Sequence, residues 1–266
     1  MNKIKLDNDL GITPVNISIL LVDDNKVNQF LGKQILRNIG FTSVQVASDG
    51  FAALKMIHEN DFDILLTDVE MPGMSGYELT TSIRQLNEAK KNITIIALTA
   101  NSSEDEHQRA LQLGMNDYLS KPYAPEELQA VLQRHIKAKG HFFIAETGSF
   151  NLSIHPPMDA IYALFNGNKQ DVKVLLGMLK EQIPTCMDQL KEAIIENNWI
   201  AAFNASHKLK STVKLFNIDS LFNKASLIAE SSKNLTEIHL VPSMYDELHA
   251  ELQGIQALIN KELEEI

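Results

Sequence analysis

The segment Phe62-Asp63-Ile64-Leu65-Leu66-Thr67-Asp68-Val69-Glu70-Met71-Pro72-Gly73 sets the fold class. Its core, Ile64-Leu65-Leu66, is short, apolar without alternation and bounded by turn residues. That pattern belongs to a strand buried on both faces of a parallel sheet. An acid ends the run, so Asp68 falls at the carboxyl end of the strand. In open α/β sheets the loops leaving the strands converge at that edge, and reacting groups collect there. A single acid after a strand decides little, so the complementary groups have to come from other strand ends.

Outward from this strand, the same alternation recurs on both sides. Ile17 to Val22 reads as the first strand and Lys26 to Ile39 as a helix stopped by Gly40. Val44 to Ala47 and Gly50 to Glu59 form the next strand and helix. After Ile64 to Thr67 come a helix over Gly76 to Glu88, a strand over Ile93 to Leu98 and a helix over Ser102 to Leu113. Asp117 to Leu119 is the last strand. Pro125 to Lys137 closes the series, with Glu126 and Glu127 in the first turn, where the helix dipole favours acids. Strands and helices alternating five times in about 120 residues predict a doubly wound, five-stranded parallel sheet.

The carboxyl ends of these strands carry chemistry. The first ends in Asp23 and Asp24, the third in Asp68, the fourth in Thr99-Ala100 and the fifth in Ser120-Lys121-Pro122. Paired acids alone are ordinarily a solvated turn or a helix cap, Thr99 alone a cap, and Lys121-Pro122 alone a turn. Gathered at one edge, three carboxylates repel one another and stay ionised only with a cation present. Mg²⁺ suits them, because it uses one or two carboxylates, keeps waters and shares its shell with a phosphoryl group. Lys121 adds a second positive charge and Thr99 a hydroxyl donor to phosphoryl oxygens. The expected task is to make Asp68 a nucleophile toward phosphorus.

Val22-Asp23-Asp24-Asn25, Asp68-Val69-Glu70-Met71-Pro72, Leu98-Thr99-Ala100 and Lys121-Pro122, in this order and spacing, resemble the receiver domain of two-component response regulators. Asp24-Asn25-Lys26-Val27-Asn28 is closer to the receivers attached to hybrid histidine kinases. The resemblance implies a flavodoxin-like α/β sheet of order 2-1-3-4-5, with Asp68 as phosphoacceptor. It also implies Mg²⁺ held by Asp23, Asp24, Asp68 and the backbone carbonyl of Glu70, a switch formed by Thr99 and Tyr118, and a cis bond at Lys121-Pro122. Tyr118 by its own position reads as packing on an edge strand.

The chain of 266 residues has room for about two domains. Its net charge of −10 argues against a polyanionic partner. The arginines are Arg37, Arg84, Arg109 and Arg134, so the second half has no guanidinium fork for phosphate or guanine. No nucleic acid is expected. Cys186 is the sole cysteine, which excludes an internal disulfide and fits a reducing compartment. Ile17 to Val22, the longest early apolar run, is too short to span a bilayer and ends in acids, so a cytoplasmic location is expected.

Residues 1–16 read as a polar leader, 17–138 as the receiver, 139–156 as a linker and 157–266 as a helical domain. The linker carries Phe142, Phe143, Phe150 and Ile144, which would be costly to leave in water, so it is expected to pack on one of the domains. From Met158 helical periodicity reads over Met158 to Phe165, Gln170 to Asn197 with a kink at Pro184, Trp199 to Phe216, Ser220 to Ser231 and Pro242 to Glu264. A four-helix bundle with an accessory helix follows. At roughly 100° per residue, Ala202, Ala205, Leu209, Val213 and Phe216 share one face, and Phe203, His207, Lys210, Ser211 and Lys214 the other. His207 is therefore expected to face solvent. Nearby lysines favour its neutral, nucleophilic form and attract an acidic, phosphorylated surface, and the small Ser211 leaves room for a phosphoryl group. His58, His107, His135, His141, His155, His239 and His249 lack such company and read as surface or linker residues.

Ala205-Ser206-His207-Lys208-Leu209-Lys210-Ser211 resembles the histidine-containing phosphotransfer (HPt) domain, whose exposed histidine is transiently phosphorylated. The family usually has glycine where Ser211 stands and often another near Asn217, both mild departures. The expectation is a phosphorelay protein without an ATP-binding kinase domain, similar to the carboxyl-terminal part of a hybrid kinase. A histidine kinase supplies phosphoryl to Asp68, and His207 exchanges it with a receiver aspartate, in this chain or in a separate one. One rival is a phosphorylation-switched interaction module whose helical domain binds a partner without accepting phosphate. Another is an aspartate-nucleophile phosphatase, for which Glu70 would be the second acid.

Overall fold

The computed structural model of the chain describes residues 15–99, 104–121, 123–137, 157–165 and 167–266. Ile64-Leu65-Leu66 is the middle of a strand that pairs on both sides. Ile64 lies opposite Ile19 on one neighbour and Thr94 on the other, and Leu66 opposite Leu21 and Ile96. Every residue of that strand is buried, which explains an apolar run without alternation.

The described chain has an α/β unit and a helical unit. The first runs β1 (Val15–Val22), α1 (Lys26–Asn38), β2 (Phe41–Ala47), α2 (Gly50–Glu59), β3 (Ile64–Asp68), α3 (Gly76–Arg84), α4 (Glu88–Lys91), β4 (Thr94–Thr99), α5 (Glu104–Gln112), β5 (Asp117–Ser120) and α6 (Pro125–Lys137). All strand pairings are parallel and the order is β2-β1-β3-β4-β5. This is the predicted doubly wound sheet. One face carries Ile19, Leu21, Ile64, Leu66, Ile96 and Leu98, packed with Leu36 of α1 and Leu128 and Leu132 of α6. The other carries Leu20, Leu65 and Ile95, packed with Ile57 of α2 and Leu79 and Ile83 of α3.

Two departures from the sequence expectations bear on the site. β3, β4 and β5 each run one residue further, to Asp68, Thr99 and Ser120, because the ladders continue through the pairs Asp68 with Leu98 and Thr99 with Ser120. The helix expected over Gly76 to Glu88 ends at Arg84 instead. There the Arg84 guanidinium donates to the carbonyls of Gly114, Lys91 and Ile93 and to Oδ1 of Asn116, and Asn87 caps a new short helix. Gly40 stops α1 as expected, with φ of 102°.

The second unit comprises α7 (Pro157–Leu164), α8 (Lys169–Ile195), α9 (Trp199–Val213) with a 3₁₀ turn at Lys214–Phe216, α10 (Asp219–Asn234) and α11 (Val241–Glu265). α8 packs on α9 and α11, and α10 packs on α9 and α11, so each long helix touches two others. α7 lies against α8 and the 3₁₀ turn. Helix assignment continues through Pro184, so the expected kink does not divide α8. Asn217 takes a left-handed conformation with φ of 53°, in keeping with the glycine-like role expected near it. The linker packing and the Lys121-Pro122 bond geometry concern residues outside those described, and so does most of the leader.

Candidate functional site

Three strand ends bring the predicted acids and lysine together. Asp23 follows β1 directly, and its N–H donates to the Ala47 carbonyl at 3.3 Å, tying it to the end of β2. Asp68 is the last residue of β3. Lys121 follows β5, with its N–H donating to the Thr99 carbonyl at 2.6 Å. The Lys121 ammonium then donates to Oδ2 of Asp23 at 2.5 Å and to Oδ2 of Asp68 at 2.6 Å. Carboxylate oxygens of Asp23, Asp24 and Asp68 all lie within 4.8 Å of one another.

Electrostatics decide what this cluster can hold. Asp23 and Asp68 are 1 % and 4 % exposed, so water screens them little. Burial alone would lower the Lys121 pKa, but the charges of Asp23 and Asp68 and their hydrogen bonds outweigh it and hold the ammonium above the ordinary lysine value. The Lys121 ammonium pairs with Asp23 and Asp68, the carboxylates still crowd one another, and every donor is oxygen. A hard divalent cation of the Mg²⁺ type matches that set, whereas zinc prefers nitrogen and sulfur.

The backbone around Asp68 is held tightly. Oδ1 of Asp68 accepts the N–H of Glu70 at 3.1 Å, the Val69 N–H donates to the Leu98 carbonyl at 3.1 Å, and the Gly76 N–H to the Val69 carbonyl at 3.0 Å. A Cβ on Gly76 would fall 2.2 Å from the Asp68 carbonyl oxygen, so only glycine lets α3 start this close to the acid.

Thr99 is buried at the end of β4. Tyr118 is half-buried on β5, its ring 4.0 Å from that of His107 between centroids. Two histidines read as surface residues are therefore engaged. His107 stacks on Tyr118, and His135 lies 2.9 Å from Oδ2 of Asp117, which Arg134 also contacts at 2.8 Å. Sequence reading missed Tyr123. Burial raises its phenol pKa, with Lys121 opposing and Asp23 and Asp68 adding to the shift, so the phenol senses the acid cluster. Its position just beyond Lys121-Pro122 was the available signal.

In the helical unit the wheel holds for the apolar face, since Ala202, Ala205, Leu209, Val213 and Phe216 are all buried. Lys210, Ser211 and Lys214 are half-exposed. The Ser211 hydroxyl donates to the Lys208 carbonyl at 2.9 Å, and the Lys214 ammonium sits 4.9 Å above the Phe222 ring. His207 corrects the expectation of a solvent-facing ring, because it is only 7 % exposed. Ser206 and Thr212 are buried as well, and the Phe203 ring lies 5.6 Å from that of His207.

The model of the response regulator receiver domain family matches residues 19–133. The chain is similar to the chemotaxis protein CheY of Pseudomonas aeruginosa, 36 % identical over 118 residues, which cover 44 % of this chain and 94 % of that protein. It is also similar to the sensor histidine kinase GacS of Pseudomonas protegens, 29 % identical over 210 residues, 76 % of this chain and 23 % of that protein. Among solved structures, the receiver domain of a sensor histidine kinase from Pseudomonas aeruginosa PAO1, with a magnesium ion coordinated in its active site cleft, is 41 % identical. It covers 46 % of this chain and 99 % of that one, with a TM-score of 0.43. No described helix is long and apolar enough to cross a membrane.

Proposed function

The chain belongs to the response regulator receiver domain family, and from that premise we propose that it is a phosphorelay protein in which Asp68 accepts a phosphoryl group from a kinase phosphohistidine. The observation that carries this reading is the Lys121 ammonium, 2.5 and 2.6 Å from two of the three acids gathered at the strand ends. Asp23, Asp24 and Asp68, with the backbone carbonyl of Glu70, would hold Mg²⁺, which supplies positive charge to the phosphoryl oxygens. An Asp68 carboxylate oxygen attacks phosphorus, the P–N bond to the donor imidazole breaks, and the departing imidazole takes up a proton. Lys121 neutralises charge on the transferred group, and the Thr99 hydroxyl donates to one of its oxygens. Thr99 and Tyr118 report the change to the protein surface.

Residues 157–266 act in this reading as an HPt domain, a four-helix bundle whose His207 exchanges phosphoryl with a receiver aspartate. Lys210, Ser211 and Lys214 form the approach to it. The pairwise packing of the four long helices supports this, and so does the alignment to GacS, whose 76 % of this chain extends beyond residues 19–133. The receiver spans 17–138, the linker 139–156, and the protein works in the cytoplasm, where ATP-charged kinases supply phosphohistidine.

The burial of His207 favours a second reading, in which the helical unit only binds a partner. Transfer of labelled phosphoryl from a phosphorylated kinase, with Mg²⁺, to wild type, Asp68→Ala and His207→Gln separates the two. Acid-labile phosphohistidine in wild type, lost in both variants, supports the relay. Label confined to Asp68, with His207 also taking none from a separate phosphorylated receiver, leaves the helical unit as a binding domain. No label on Asp68 removes the phosphoacceptor reading altogether.

A further inference from the structure

Lys121 carries the charge that uptake at Asp68 needs on a long, flexible stem, so something has to fix where that stem begins. Its root is tied on one side by the Lys121 N–H on the Thr99 carbonyl. Further along, the Ala124 N–H donates to Oε2 of Glu127 at 2.8 Å, which ties the other side to the start of α6. Tyr123 stands between these two anchors, half-buried. Its phenol oxygen reaches α1 at Gly32, where an added Cβ would come within 3.1 Å of it and within 2.8 Å of Cδ2 of Leu21 on β1. Gly32 is buried inside α1, a place where glycine is less stable than alanine. The close approach of Tyr123 and Leu21 is what the missing side chain permits there. The same phenol lies within electrostatic reach of Lys121, Asp23 and Asp68.

We infer that Tyr123 is a positioning residue for phosphoryl uptake: seated in the notch at Gly32, it sets the main chain from which Lys121 reaches Asp23 and Asp68. The inference rests on the phosphoacceptor reading. The ammonium makes contacts of 2.5 and 2.6 Å to carboxylates at the ends of two different strands, and both are kept only if the stem starts from one place. A lysine rooted elsewhere has other rotamers to occupy, and ordering it again costs entropy. Tyr123 acts through Lys121 and has no need to touch the transferred group; its ring is the wedge. A small displacement of a charge-stabilising group slows a reaction steeply. An ammonium drawn off Asp23 and Asp68 also stops competing with a divalent cation for them, so uptake and Mg²⁺ affinity should move in opposite directions.

The test uses the full chain carrying His207→Gln, so that label rests on Asp68, with phosphoramidate as donor and a separate Mg²⁺ titration. Tyr123→Ala should slow uptake about tenfold, short of the roughly 100-fold expected when Lys121 itself is lost, and should raise Mg²⁺ affinity about twofold. Tyr123→Phe keeps the ring and should keep most of the rate. Gly32→Ala should slow uptake in the tyrosine background and much less beside Tyr123→Phe, which removes the oxygen that the new methyl meets, Leu21 being the same in both. Unchanged uptake in Tyr123→Ala overturns the inference. So does slower uptake with weaker Mg²⁺ binding, the mark of a residue that only holds the fold, and so does an equal loss for Gly32→Ala in both backgrounds. No labelling of the parent by phosphoramidate, with Mg²⁺ still bound, means that the phosphoacceptor reading has itself failed and takes this inference with it.

Discussion

The Lys121 ammonium lies 2.6 Å from Oδ2 of Asp68 while also holding Oδ2 of Asp23, so one cation balances two buried acids at the point where phosphoryl would arrive. Replacing Lys121 with methionine removes that charge without shortening the chain much. Phosphoryl uptake by Asp68 should slow about 100-fold, the scale for loss of one preorganised charge-stabilising donor. Mg²⁺ affinity should rise, because the carboxylates lose their competing cation. Stopped-flow uptake from phosphoramidate and Mg²⁺ titration would read the two effects, and slower uptake with weaker Mg²⁺ binding would contradict the charge account.

Folding assembles the acids from separate strand ends, so Mg²⁺ should bind the native chain in preference to the unfolded one. At free Mg²⁺ a hundred times the Kd, the native state should gain about 2.7 kcal/mol. Melting curves with MgCl₂ and with EDTA should differ by several degrees for wild type and much less for Asp23→Asn. Equal shifts in both would mean that the ion binds elsewhere.

Asp117 offers a pH prediction. Burial raises its pKa, but hydrogen bonds from His135, Arg134 and the Tyr118 N–H outweigh that and hold the carboxyl below its ordinary value. A depressed native pKa contributes stability that is fully present above the unfolded value, near 3.9, and is lost as pH falls through the lower native value. The Tm gap between wild type and Asp117→Asn should be constant from neutral pH down to about pH 5 and close below about pH 4. A gap that widens in acid would refute the assignment.

Leu235 ends α10 in a left-handed conformation, φ 55°, and is 62 % exposed. A branched residue is strained there, and glycine adopts the conformation freely. Leu235→Gly should therefore stabilise the helical unit by about 1 kcal/mol despite losing a side chain. Urea denaturation followed by helical circular dichroism would measure it, and a loss of stability would show that the leucine makes contacts worth more than the strain.

The sheet was legible because its central strands β3 and β4 are buried on both faces, which leaves unbroken runs such as Ile64-Leu65-Leu66, and because the acids interrupt those runs where the ladder ends. Helix limits set by local caps were legible too, α2 and α6 being found where the sequence placed them. The end of α3 was not, because Arg84 is committed to four acceptors outside its helix, two of them about thirty residues on at Gly114 and Asn116. His207 misled for a related reason. A helical wheel ranks the faces of one helix by their own apolar residues, and cannot show what covers a face of mixed character. The engagement of His107 and His135 depends on ring and carboxylate contacts that no spacing announces.

The fit of Gly76 beneath the Asp68 carbonyl makes the acid a fixed anvil. With Val69 bonded both to β4 and to the start of α3, the main chain on either side of Asp68 has nowhere to go. A phosphoryl group on this carboxylate would meet a main chain already fixed on both sides, so side chains, which turn about single bonds at small expense, would be the groups to move.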